Sequence, residues 1–222
     1  MISRLPKWVE YGAFILAFTA GSVNAIGLLG FEHQSVSHLS GTATLVGTQL
    51  LSSSPTVLFH LMGILVSFMF GATISGAFLS GSSLKLGRHY DTLLLIEAGL
   101  LLFAIDLLQD GTYYGHYMAS AACGLQNALA TTYSGAIVRT THVTGIFTDL
   151  GIMLGGILKG EKFDKRKAVL FMLIIAGFIS GGALGAYLFA KLQFFALLAP
   201  AAICIALAMS YRFYKALNRP KP

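Results

Sequence analysis

The chain has 222 residues, of which 55% are hydrophobic and only 11% charged, and its mean hydropathy is +0.74. Soluble domains carry about 25% charged residues, and one soluble core of this size cannot hide so much apolar surface. A soluble enzyme is excluded, and so is a nucleic-acid module: the net charge of +6 comes from basic residues in short connections and at the ends, where they orient a membrane protein.

Apolar runs predict long helices over 8–31, 56–82, 90–108, 113–137, 166–190 and 194–214. Each is near the ~20 residues that cross ~30 Å of hydrocarbon. Backbone groups in lipid must be satisfied within the segment, so the runs are helices; the alternation of a membrane barrel strand is absent. Two shorter segments, 36–52 and 141–158, are apolar but rich in Ser, Thr and Gly. Arg4 and Lys7 precede an apolar stretch ending near Ser22-Val23-Asn24-Ala25, which imitates a secretory leader. The same segment recurs inside the chain, which makes it a retained helix.

That recurrence is one part of an internal repeat. His38-Leu39-Ser40-Gly41-Thr42-Ala43-Thr44-Leu45-Val46-Gly47 matches His142-Val143-Thr144-Gly145-Ile146-Phe147-Thr148-Asp149-Leu150-Gly151, with 7 of 10 positions identical or conservative at an offset of 104. Upstream, Gly21-Ser22-Val23-Asn24-Ala25-Ile26 parallels Gly124-Leu125-Gln126-Asn127-Ala128-Leu129 at an offset of 103. Downstream, the span around Gly71 and Gly76 parallels the one around Gly181 and Gly185. The chain therefore reads as two halves, 1–110 and 111–222, of one membrane domain. Each half is a long helix, a short polar-flecked segment and two more long helices.

Loop charge decides whether the short segments cross. If both cross, eight spans place 11 basic residues inside and 4 outside; if both turn back, six spans place 14 inside and 1 outside. The positive-inside rule favours six spans, with both termini cytoplasmic and Glu32 and Asp110 outside. Three spans per half is an odd number, so the halves run in opposite directions, the inverted-repeat plan of many transporters. The expected fold is an all-α polytopic membrane protein of 3+3 inverted repeats. Each half has a short re-entrant helical segment, and the two segments meet near the midplane.

At Ser37-His38-Leu39-Ser40-Gly41-Thr42, Gly124-Leu125-Gln126-Asn127-Ala128 and Val138-Arg139-Thr140-Thr141-His142-Val143-Thr144-Gly145, the sequence resembles the YoaK family of bacterial inner-membrane proteins. The similarity runs over essentially the whole chain. It implies a bacterial inner-membrane protein with at most a transport-like character. The family is one of unknown function, so the resemblance supplies neither a substrate nor functional residues.

Polar groups inside a membrane are costly and become candidates by that fact. Ser37, Gly41, Thr44 and Thr48 lie on one helical face, and Thr141, Gly145, Thr148 and Ile152 repeat the spacing. Such faces serve either a lined site or tight helix packing. His38 and His142 open the two segments. They are either interfacial caps or groups that relay protons or hold an anion, and their recurrence favours the second. A helix N-terminus adds partial positive charge there. Asp149 replaces Leu45 of the first repeat and lies on the face of His142 and Gly145, just beyond Arg139; proton coupling and an ion pair at the membrane edge are both open. Glu97 sits centrally in 90–108, as a proton-coupling group or an interhelical hydrogen bond. Asn24 and Asn127 occupy matched places in long helices, for solute or for helix bonding.

Cys123 and Cys204 lie in apolar segments without a CxxC and read as packing residues. GxSxG, HExxH, Walker and GxGxxG motifs are absent, and two histidines without Cys or carboxylate companions make no metal site. No enzyme activity and no cofactor are expected. The reading is a small secondary transporter or channel for a small polar or anionic solute. His38, Gly41, Thr44, Asn24, Asn127, His142, Gly145 and Thr148 are the candidate solute contacts, and Glu97 and Asp149 the candidate proton-coupling groups. The alternative is a non-transporting assembly or sensor protein. The expected partners are the lipid bilayer and a solute. A second copy is a further option, since the Gly71/Gly76 and Gly177/Gly181/Gly185 faces suit internal packing and dimerisation equally.

Overall fold

A computed structural model of the chain describes residues 8–30, 35–50, 54–79, 89–135 and 137–217. Arg4, Lys7, Glu32, Lys85, Arg88, Arg219 and Lys221, which entered the loop-charge count, lie outside them. The elements are α1 (Trp8–Gly30), α2 (Leu39–Gln49), α3 (Pro55–Phe78), α4 (Tyr90–Gln109), α5 (Tyr114–Ser134), α6 (Val143–Leu158), α7 (Lys165–Leu192), a 3-10 turn (Gln193–Leu197) and α8 (Leu198–Leu217). No strand occurs among the described residues.

Local chemistry sets the boundaries. Pro55 opens α3 behind an extended Ser54, where its missing N–H costs nothing. The Asp164 carboxylate accepts the Lys167 N–H at 3.0 Å and caps α7. Gly135 ends α5 in the left-handed region at φ 63°. Gln193, at φ 51°, breaks what would be one apolar helix into α7 and α8.

Contacts between helices fix their directions. Along α1, Phe14, Phe18 and Ser22 meet Gly177, Gly181 and Gly185 of α7 in turn, so the two helices run parallel. Along α3, His60, Ile64 and Phe68 meet His116, Ser120 and Gly124 of α5, which makes that pair parallel as well. α4 is antiparallel to α5, through Glu97 with Gln126 and Leu108 with Gly115. It is antiparallel to α8 as well, with Asp91 bound to Arg212 at 2.6 Å. Trp8 and Tyr133 stack at 5.6 Å, and Tyr90 touches both Tyr133 and Tyr211. One end of the bundle, called here the near end, therefore carries the starts of α1, α4 and α7 and the finishes of α3, α5 and α8. The opposite end is the far end.

Two consequences follow from this alternation. α1 finishes and α3 starts at the far end, so the connection holding α2 begins and ends there. α5 finishes and α7 starts at the near end, so the connection holding α6 begins and ends there. With 11 and 16 residues, α2 and α6 are only about 16 and 24 Å long. α2 leans on α3 and α6 on α7, and the two make no extended contact with each other. The meeting of the short segments anticipated from the sequence is therefore not present. Each rests instead on the long helix that follows it, burying only Thr42 of α2 and Ile146 and Gly156 of α6.

Three helical stretches among the described residues are long and apolar enough to cross a membrane: α1, α3 and the run 165–217 that holds α7 and α8. α4 and α5 carry Asp91, Glu97, His116, Ser120 and Gln126, all buried. Helices enclosed by other helices need less apolar surface than those that face lipid, which is why hydropathy alone sets these two apart.

Candidate functional site

His38 and His142 are the N-caps of α2 and α6, with closely similar backbones: φ −91°, ψ 69° and φ −93°, ψ 54°. Neither side chain caps its helix. Each imidazole folds over the first turn instead, onto Gly41 and Gly145 respectively, where a Cβ would collide with the ring. The recurring His-x-x-Gly is thus a physical unit, because glycine three residues on leaves the ring its place. Both histidines are exposed.

The polar surroundings of the two units differ. In the first, Asn24 Oδ1 accepts hydrogen bonds from the hydroxyls of Ser35 and Ser37, the latter at 2.7 Å. Ser35 Oγ in turn accepts the His38 N–H at 2.9 Å. The asparagine anchors the entry to α2. In the second half, Arg139 and Thr141 stand where Ser35 and Ser37 stand. Asn127 Oδ1 is buried with no hydrogen-bond partner among the described residues, as is Thr140 Oγ1.

Beside His142 is a cleft of about 230 Å³ lined by Ile137, Arg139, His142, Gly145, Ile146, Asp149 and Phe171. Lys167 reaches over it from α7, with Nζ 3.8 Å from Asp149 Oδ2 and 5.3 Å from the centre of the Phe171 ring. Asp149 is therefore balanced by a lysine, while Arg139 has no ion-pair partner among the described residues. A positive charge is left over on an apolar floor of Ile137, Ile146 and Phe171, and α6 adds the partial positive charge of its N-terminus. Such a cleft can hold a small anion or a polar solute with an anionic pole.

The sequence candidates do not form one site. His142, Gly145 and Asp149 share the cleft at the near end. His38, Gly41 and Asn24 lie together at the far end. The Thr44 and Thr148 hydroxyls donate to Ser40 and Thr144 carbonyls of their own helices, at 2.9 and 3.0 Å. Glu97, 2% exposed, accepts from Gln126 Nε2 at 2.8 Å and lies between α4 and α5 with Cys204 of α8 beside it. Asn127 lies one residue beyond Gln126 on α5. Sequence reading missed Lys167 and Phe171 as partners of the cleft, because nothing in α7 distinguishes them from interfacial lysine and apolar filler.

Residues 12–210 match the family described as "Protein of unknown function (DUF1275)". The chain belongs to this family. No curated protein and no solved structure matches it, so no named relative stands behind the narrower YoaK likeness. The DUF1275 membership brings no activity with it, and a role for the cleft has to be argued from its chemistry.

Proposed function

We propose that this DUF1275 protein is a small carrier in the bacterial inner membrane, with two inverted halves, 1–110 and 111–222, and both termini in the cytoplasm. It passes a small polar or anionic solute, and the cleft of Arg139, His142 and Asp149 is the cytoplasmic mouth of its path. The observation that carries this reading is the alternation of the six long helices. On this reading α2 and α6 are re-entrant segments on opposite faces, and each half's first long helix packs against a long helix of the other half. Such halves can rock against each other around a site at their junction. The described basic residues favour the same orientation: Arg139, Arg166 and Arg212 gather at the near end, while Lys191 lies at the far end.

Two measurements test it. In a background lacking Cys123 and Cys204, single cysteines at Ser54 and His89 should react from the outside and the inside respectively. In proteoliposomes, labelled acetate and inorganic phosphate serve as probe anions. Arg139→Gln and His142→Ala should lower uptake of the accepted probe about tenfold, the loss of one charge-assisted contact. Equal uptake by wild type and both variants would remove the cleft from the path, and the reverse labelling, Ser54 from the inside and His89 from the outside, would remove the inverted halves.

A further inference from the structure

A second group of titratable side chains lies at the far end, outside the cleft. His60 on α3 and His116 on α5 are 3% and 1% exposed. His116 Nδ1 lies 3.3 Å from His60 Nε2, and His60 Nδ1 lies 3.2 Å from the Tyr117 hydroxyl. The Tyr113 ring lies against His60, tilted by 34°, with centroids 4.1 Å apart.

Two ring nitrogens this close share one hydrogen, since two lone pairs or two N–H groups would repel. A neutral His60 donates to only one of its two neighbours and accepts from the other. An imidazolium at His60 donates to both, with the tyrosine face beside it as a cation–π surface. One added proton is thus accommodated by turning the Tyr117 hydroxyl from donor to acceptor. The charge of the group rises by one. A second added proton is refused, because a hydrogen on His116 Nδ1 would face the one on His60 Nε2.

The pair also joins the two halves, as α3 belongs to the first and α5 to the second. Any rocking of the halves parts the rings, so proton occupancy and conformation are linked. The other titratable groups of the surrounding elements are few. α5 brings Tyr113, Tyr114 and Tyr117, and α4 brings Asp106 and Asp110, both exposed. α2 brings His38 at its N-cap, exposed, the far half of α1 brings none among the described residues, and Glu32 and His33 lie outside these. Glu97 on α4 and its partner Gln126 on α5 also bridge the two halves, but across the α4–α5 seam and apart from the histidine pair.

We propose that His60 and His116 form a one-proton site across the α3–α5 seam and supply the coupling proton of the carrier. The coupling role rests on the transport reading; the proton site does not. The test is histidine-labelled protein in nanodiscs, its six imidazoles followed by NMR between about pH 5 and 8. His60→Gln and His116→Gln identify the two signals. The expected result is that both move in one shared step, and that Tyr117→Phe, which keeps the ring but not the hydroxyl, shifts that step's midpoint. Independent titration of the two rings, or no titration at all, would overturn the site, whatever the flux assays give. In proteoliposomes, His116→Gln should abolish the pH dependence of uptake while Glu97→Gln preserves it; the reverse pattern would overturn the coupling role. A shared step in a protein that moves none of the probe anions would leave the proton site standing and count against transport.

Discussion

The α1–α7 and α3–α5 crossings are alike in backbone and unlike in chemistry. In the first, Gly21 meets the carbonyl of Phe178 and Gly181 that of Phe18; in the second, Gly124 meets Phe68 and Gly71 meets Ala121. Under the proposed duplication these are the same joint made twice. Counting along from the matched glycines, buried Leu170 and Ala13 of the first joint stand where His60 and His116 stand in the second. The first buries no ionisable side chain along its seam among the described residues and is closed at its mouth by Glu10 and Arg166, 2.9 Å apart. The second carries the histidine pair. Glycine sets how closely the backbones approach, and the flanking side chains are then free to differ. One joint can serve as a fixed hinge while the other responds to a proton.

The largest expected effects test the likeness. Gly71→Val and Gly181→Val each drive a branched side chain into a carbonyl of the neighbouring helix, where no flexible group can yield. Each should cost about 3 kcal/mol or more, read as lost monodispersity and a lowered melting temperature in detergent. A similar loss at both positions supports one joint used twice. Tolerance at one would show that the two backbones approach differently.

A smaller effect tests the difference. His60→Leu alone removes one partner of a buried pair and should cost about 1–3 kcal/mol. Adding His116→Ala rebuilds the lining of the α1–α7 joint and should bring stability back to within about 1 kcal/mol of wild type, because both polar partners are gone together. The double variant should also lose the shared histidine titration. If it stays as unstable as the single variant, the α3–α5 seam needs its polar contacts to pack, and the second joint is more than a decorated copy of the first.

Much of this arrangement was legible in the sequence, and the illegible part has a common cause. Six long apolar runs and two short ones became six long helices and α2 and α6, since hydropathy is a local property that length and burial enforce. The offset between His38 and His142 was readable because a whole His-x-x-Gly unit recurs. What stayed hidden is pairing between distant helices. Gly71 and Gly181 announce a close approach without naming the partner, and His60 and His116 are single histidines on two apolar helices until the fold brings them together. Asn24 and Asn127 show the converse. Their match was plain, yet Ser35 and Ser37 satisfy one, while the other has a buried oxygen with no partner among the described residues.

The smallest expected effects lie at the edges of the two joints. Arg166→Gln opens the Glu10 ion pair at the mouth of α1–α7. The side chains are 32% and 21% exposed, so water and salt already screen the pair, and the cost should be about 0.5 kcal/mol, smaller still in high salt. Gly76 stands five residues beyond Gly71, and a Cβ added there would meet no neighbouring atom of the described residues within 4 Å. Gly76→Ala should therefore be neutral or stabilise α3 by up to about 1 kcal/mol through helix propensity. A clear loss of stability there, together with a change in oligomeric state on a sizing column, would mean that this small face packs against a second copy of the chain. The glycines of α3 would then serve two joints, one between the halves at Gly71 and one between protomers at Gly76.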